Sequence, residues 1–202
     1  PYSLFSKKDY KSLYESSSGA DREELYRWIE YYKIKFKSRV YTPLNNSEKY
    51  TLVLMGRADF GLLGSYNKYK QTPFETFHVG GDGMTGSYTY ATETIGLRGY
   101  DNGALTPYSD GRAYTRFSME LHFPFLLQPS STIYGLAFVE GGNAWTSLEN
   151  FNPFSLKRSA GVGVRIFLPM IGLMGIDWAY GFDKVQGEKG GGHFHFILGQ
   201  EF

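Results

Sequence analysis

Two-residue alternation of apolar and polar side chains, repeated in segment after segment, constrains this chain more than any other feature. In 173–182, Met174, Ile176, Trp178, Tyr180 and Phe182 oppose Gly175, Asp177, Ala179 and Gly181. In 161–168, Val162, Val164, Ile166 and Leu168 oppose Gly161, Gly163 and Arg165. In 112–123, Thr115, Phe117, Met119, Leu121 and Phe123 share one parity, and Tyr114, Arg116, Ser118, Glu120 and His122 the other. The last piece, 193–202, sets Phe194, Phe196, Leu198 and Phe202 against His193, His195, Gly199 and Glu201. Weaker alternation runs through 23–40 and 49–61, with a short third piece at 74–80. A period of two means extended strands with one greasy and one polar face. Gly, Pro, Asn and Ser clusters supply the breaks between them.

A soluble sandwich also alternates, so the chemistry of each face decides the class. The polar face carries glycine and full charges such as Arg116, Glu120, Arg165 and Asp177, and the opposite face is rich in aromatics. Aromatics make up 18% of the chain, with 17 Tyr, 16 Phe and 25 Gly, a mixture suited to strands, tight turns and interfacial girdles. This pattern fits lipid outside and a polar lumen inside. The longest nearly uncharged apolar run, Ile166 to Ile176, is too short for a membrane-spanning helix and contains Pro169. The segment 133–142 is an exception, because Tyr134, Leu136 and Phe138 share parity with Glu140.

The expected fold is all-β, with about seven antiparallel strands in 22–202 and a long irregular segment at about 81–111. That number is odd and too small for a typical closed barrel. The remaining strands are therefore expected in a preceding part of the parent chain, since an open sheet in lipid leaves backbone groups unpaired. Residues 1–21, rich in Ser and Lys, read as a loop or truncated remnant, and nothing at the start reads as a signal peptide. With 21 basic against 20 acidic residues, no nucleic-acid surface is indicated, and the absence of cysteine removes disulfides and thiolate metal sites.

Three places resemble the Omp85 family of outer-membrane proteins. Ile95-Gly96-Leu97-Arg98-Gly99-Tyr100 resembles the motif at the tip of the family's sixth extracellular loop, which folds back into the lumen. Met119-Glu120-Leu121 and Phe138-Val139-Glu140-Gly141-Gly142-Asn143-Ala144-Trp145 resemble signatures of the next two strands. Ser159-Ala160-Gly161-Val162-Gly163, then Pro169, Asp177-Trp178-Ala179-Tyr180 and Phe194-His195-Phe196-Ile197-Leu198-Gly199 follow in the family's order. The resemblance covers roughly residues 74–202 and implies the C-terminal half of a transmembrane β-barrel in a Gram-negative outer membrane. It implies that Arg98, within Leu97-Arg98-Gly99-Tyr100, reaches the lumen wall at Glu120 and Glu140. Glu140 is one methylene longer than the aspartate more frequent in the family.

The resemblance also implies that the protein inserts other barrels through a lateral seam at the last strand, here Phe194, Phe196, Leu198, Gly199 and Phe202. The implied partners are unfolded barrel clients, accessory lipoproteins of an assembly complex and outer-membrane lipid, with no cofactor and no enzymatic chemistry. A translocator dedicated to autotransporters or to one secreted partner is the alternative, and a passive porin or barrel enzyme a more distant one. Other constellations carry less. His193 and His195 stand at i, i+2 with His122 on a similar face, but polar wall residues explain them better than a metal site does. Arg165 and Asp177 read as a structural ion pair. Gly80-Gly81-Asp82-Gly83 lacks the lysine and helix of a phosphate loop.

Overall fold

The computed structural model describes residues 2–47, 50–83, 92–106, 110–128, 130–170, 172–185 and 190–199. Among the described residues three short helices come first: α1 (Tyr2–Phe5), α2 (Tyr10–Glu15) and α3 (Gly19–Tyr26). Nine strands follow: β1 (Tyr31–Pro43), β2 (Val53–Ser65), β3 (Thr76–Val79), β4 (Thr92–Ile95), β5 (Ala113–Gln128), β6 (Ser131–Trp145), β7 (Lys157–Leu168), β8 (Gly172–Gly181) and β9 (Gly192–Leu198). Seven of these form one sheet in the order β1-β2-β5-β6-β7-β8-β9, antiparallel throughout. Among the described residues β1 and β9 are not paired with each other, so the sheet is not closed into a barrel.

Side-chain alternation sorts the two faces of this sheet. Val162, Val164, Ile176, Trp178, Tyr180, Phe194, Phe196 and Leu198 are exposed on one side, and Ser159, Arg165, Asp177, Ala179 and His195 are buried on the other. The connection from β2 to β5 lies over that second face and carries its own small core. Phe77, Val79, Ile95, Leu97, Tyr100 and Leu105 from the connection pack with Leu63, Tyr114 and Ala144 from the wall. The parallel pair β3–β4 belongs to this connection, where Val79 donates its N–H to Thr106 Oγ1 at 2.7 Å and accepts from the Leu105 N–H. The inner face is thus polar where charges meet and apolar where the connection rests on it.

This explains the segment that broke the alternation. On β6, Leu136, Phe138, Glu140, Gly142 and Ala144 all turn inward, and Leu136 and Phe138 form a second small core with Ala179 of β8. Val139 faces out at 55% exposure. Apolar and acidic residues share a parity because this stretch is the floor beneath the folded-in connection.

Several boundaries differ from the sequence reading. Residues 1–21, read as a loop, contain α1, α2 and the start of α3. The strand read from 23 begins at Tyr31, because Gly19–Tyr26 is helical and Trp28 adopts a positive φ of 58° before β1. Alanine, glutamate and leucine favour helix there, with Asp21 in the first turn complementing the dipole. The aromatic parity of Tyr26 and Trp28 belongs to no strand. The piece at 74–80 is not a wall strand; its core is β3 of the connection. β9 ends at Leu198, and Gly199, read as part of the closing strand, lies beyond it with φ +95°. Phe202 lies outside the described residues.

The connection is also fastened electrostatically to β1. Lys33 reaches Glu75 at 2.8 Å and Glu93 at 2.9 Å, and Lys35 reaches Glu93 at 3.1 Å. Burial pushes the Glu93 carboxyl up, but its bonds to Lys33 and Lys35 outweigh burial and hold it below the usual range. A depressed carboxyl contributes stability above its unfolded value and loses it as pH falls through the folded one. Glu93→Gln is therefore expected to speed proteolysis of the β3–β4 connection at neutral pH, and acidification to narrow the difference from wild type.

Candidate functional site

Arg98 is a buried cation, 4% exposed, carried by the connection rather than by the wall. Its positioning starts with the backbone. The Arg98 N–H donates to Glu140 Oε2 at 2.9 Å, the Gly81 N–H donates to the Leu97 carbonyl, and Leu97 is wholly buried. Gly99 has φ +89°, a left-handed conformation that favours glycine, and a Cβ there would crowd Ser159 and the Gly181 backbone. The tight turn drives the arginine side chain down onto the sheet. Tyr100 then seals the far side, donating its hydroxyl to the Arg158 carbonyl at 2.6 Å. Burial pushes the Tyr100 phenol up to about 12.

The guanidinium lands among three carboxylates from three strands. One terminal nitrogen donates to Glu140 of β6 at 2.6 Å and also to Glu120 of β5. The other donates to Asp177 of β8 at 2.9 Å. Its central carbon lies 3.5 Å from the centroid of the Phe138 ring, a cation–π contact worth about 2 kcal/mol when desolvated. Two wall arginines complete the set: Arg165 bonds both oxygens of Asp177, and Arg116 approaches Glu140 at 3.4 Å. Ser118 adds a hydroxyl donor to Glu140 at 3.0 Å. Among the described residues, three guanidiniums therefore face three carboxylates in one network, in which each charge has an opposite partner.

Strand glycines make the floor. Gly161 pairs with Phe138, and a Cβ at Gly161 would strike that ring. Gly163 pairs with Asp177, and a Cβ there would overlap the carboxylate. The Ser159-Ala160-Gly161-Val162-Gly163 stretch thus holds open the space that the arginine and its partners fill.

The structure brings together Leu97, Arg98, Gly99, Tyr100, Glu120 and Glu140. Sequence reading left out the third carboxylate, because it paired Asp177 with Arg165 alone; the carboxylate serves both arginines. It also gave the histidines no particular role. His195 accepts the Gly99 N–H at 2.9 Å, His122 meets Glu120 at 2.9 Å, and His193 meets Asp101 at 3.2 Å. The inward parity of Asp177 and His195 was the available signal, but parity does not say which distant residue arrives. Phe194, Phe196 and Leu198 face outward on β9, apart from this network.

Removing one member leaves a buried charge without its partner, which costs about 3–5 kcal/mol. Arg98→Ala should release the connection by that order, seen as a lower thermal midpoint and faster loop proteolysis in the full-length protein. Arg98→Lys should restore only part, because a point charge cannot span two acceptors in different directions. For the charge exchange, Arg98→Glu should impair function and Glu120→Arg should rescue it partially. Glu140 and Asp177 would still face the new carboxylate, so a full rescue in complementation would contradict the three-acceptor geometry.

Comparison with known proteins agrees with this architecture. The Omp85 superfamily domain matches residues 18–202. Among solved structures, the crystal structure of BamA from Haemophilus ducreyi lacking POTRA domains 1–3 superposes with a TM-score of 0.57 at 19% identity. The match covers 84% of this chain and 36% of that one, so this chain spans little more than a third of the relative's length. A match over nearly the whole chain, on a wall of antiparallel strands with a connection folded onto its polar face, means that the chain belongs to the Omp85 superfamily.

Proposed function

We propose that this chain is the C-terminal part of the barrel of a BamA-like outer-membrane assembly factor, which folds and inserts other β-barrel proteins. The observation that carries the reading is the arginine of a folded-in connection clamped by Glu120, Glu140 and Asp177. A passive pore gains nothing from such a clamp across its lumen, whereas an assembly factor needs a wall of defined shape beside a seam. The protein resides in the outer membrane of a Gram-negative cell and is not an enzyme. Strands from a preceding part of the parent chain complete the wall, and the outward row of Phe194, Phe196 and Leu198 meets lipid.

In this reading β9 forms one side of the seam. Among the described residues its outer edge has no neighbour in the sheet, and such an edge templates the addition of another strand through main-chain hydrogen bonds. Gly199 turns the chain just past the strand with a positive φ while its N–H still donates to the Leu173 carbonyl of β8 at 2.8 Å, and Phe202 follows it in the same terminal segment of the sequence. Clients arrive as unfolded barrels, and accessory lipoproteins bind the parent protein. A translocator dedicated to one secreted partner would use the same wall, and the range of clients separates the two.

Depletion of the parent protein, with quantification of several unrelated outer-membrane barrels, tests the proposal. The expected outcome is a general fall in folded barrels with unfolded precursors in the periplasm. Loss of a single secreted protein with unchanged barrels would instead establish the dedicated translocator, and unchanged levels of both barrels and secreted proteins would refute both.

A further inference from the structure

Among the described residues the connection touches the last strand at two polar points, an exposed one where Asp101 meets His193 at 3.2 Å and a buried one at His195. Gly99, next to the clamped arginine, donates its N–H to Nε2 of His195 at 2.9 Å, and His195 is 5% exposed near the middle of β9. Glu120, Glu140 and Asp177 hold the connection to β5, β6 and β8; none of them lies on β9. We infer that His195 is a positioning residue, a latch through which the buried connection fixes where the last strand sits. The inference takes its functional meaning from the assembly-factor reading, in which that strand borders the seam.

The chemistry of the bond sets its condition. A backbone N–H can donate only to an unprotonated ring nitrogen, so the latch requires a neutral imidazole with its proton on Nδ1. Protonation turns Nε2 into a donor facing another donor, and a buried clash of this kind expels the partner. The surrounding charged and titratable groups are His193 on the same strand, with rings stacked at 6.2 Å, and Asp177 on β8, its register partner. From the connection come Arg98, Asp82 and Asp101, the last paired with His193. No alternative acceptor for the Gly99 N–H stands among the described hydrogen bonds. The left-handed backbone at Gly99 aims that N–H at β9, which no other residue type would do as readily.

The test uses the full-length protein in proteoliposomes with a nitroxide at Leu198, an exposed position of β9; this chain has no cysteine of its own. Spectra are recorded from about pH 8 to about pH 4.5, past the lower end of the range in which a free imidazole gains its proton, because the ring is buried. Wild type should pass from an immobile to a mobile line shape as the pH falls. His195→Gln, which presents an amide oxygen as acceptor, should stay immobile throughout. His195→Leu should be mobile at both ends, and His193→Gln should keep the wild-type response. An immobile His195→Leu protein, or a pH response in His195→Gln equal to that of wild type, would overturn the inference. The line shape needs no client, so a wild-type protein that inserts no barrels in parallel assays would refute the functional reading and leave the latch as measured.

Discussion

Burying a guanidinium is costly, and the design of the inner face follows from offsetting that cost. Arg98 sits where its charge is intolerable unless carboxylates surround it, so Glu120, Glu140 and Asp177 must come from three different strands in one register. Those acids would repel one another without it, and Arg116 and Arg165 balance the remainder. The result specifies geometry more than it adds stability. A sheet whose strands slipped by one residue would carry each acid to the outer face.

The connection also replaces the core that an open sheet lacks. Phe77, Val79, Ile95, Leu97 and Leu105 bury themselves against Leu63, Tyr114 and Ala144, so part of the apolar packing lies on the side that a simple alternation rule assigns to polar groups. The electrostatic clamp and the apolar cluster are adjacent, with Leu97 in one and Arg98 in the other. Loss of either loosens the same segment, and the two are therefore coupled rather than additive.

Much of the wall was legible in the sequence because its strands obey a local rule. Met174 to Phe182 and Phe194 to Leu198 present their faces as alternation indicates, since neighbours two apart share a side whatever lies beyond. The helices in residues 2–26 were missed because helices of four to eight residues with few apolar side chains show no clear period, and a chance parity of Tyr26 and Trp28 mimicked a strand. The β3 piece looked like a wall strand because four residues of Thr-Phe-His-Val have the same composition whether they pair with the wall or with a loop strand. Glu120 and Glu140 came from a resemblance to known signatures, whereas Asp177 as an Arg98 partner and His195 as a Gly99 partner depend on how a long connection folds back. Such contacts span too much chain for any periodicity to encode.

The packing of Gly99 against β7 and β8 joins residues far apart in sequence. A Cβ on Gly99 would meet Ser159 and the Gly181 amide, and a Cβ on Gly181 would meet the Gly99 carbonyl and the Tyr100 ring. Two missing side chains thus let the backbone of the connection lie directly against that of the wall, and neither position can enlarge whatever the other carries, because each added Cβ would meet backbone atoms. Among relatives, both sites should therefore hold glycine wherever the connection approaches the wall this closely, so that a side chain at either one marks a connection that stands further off.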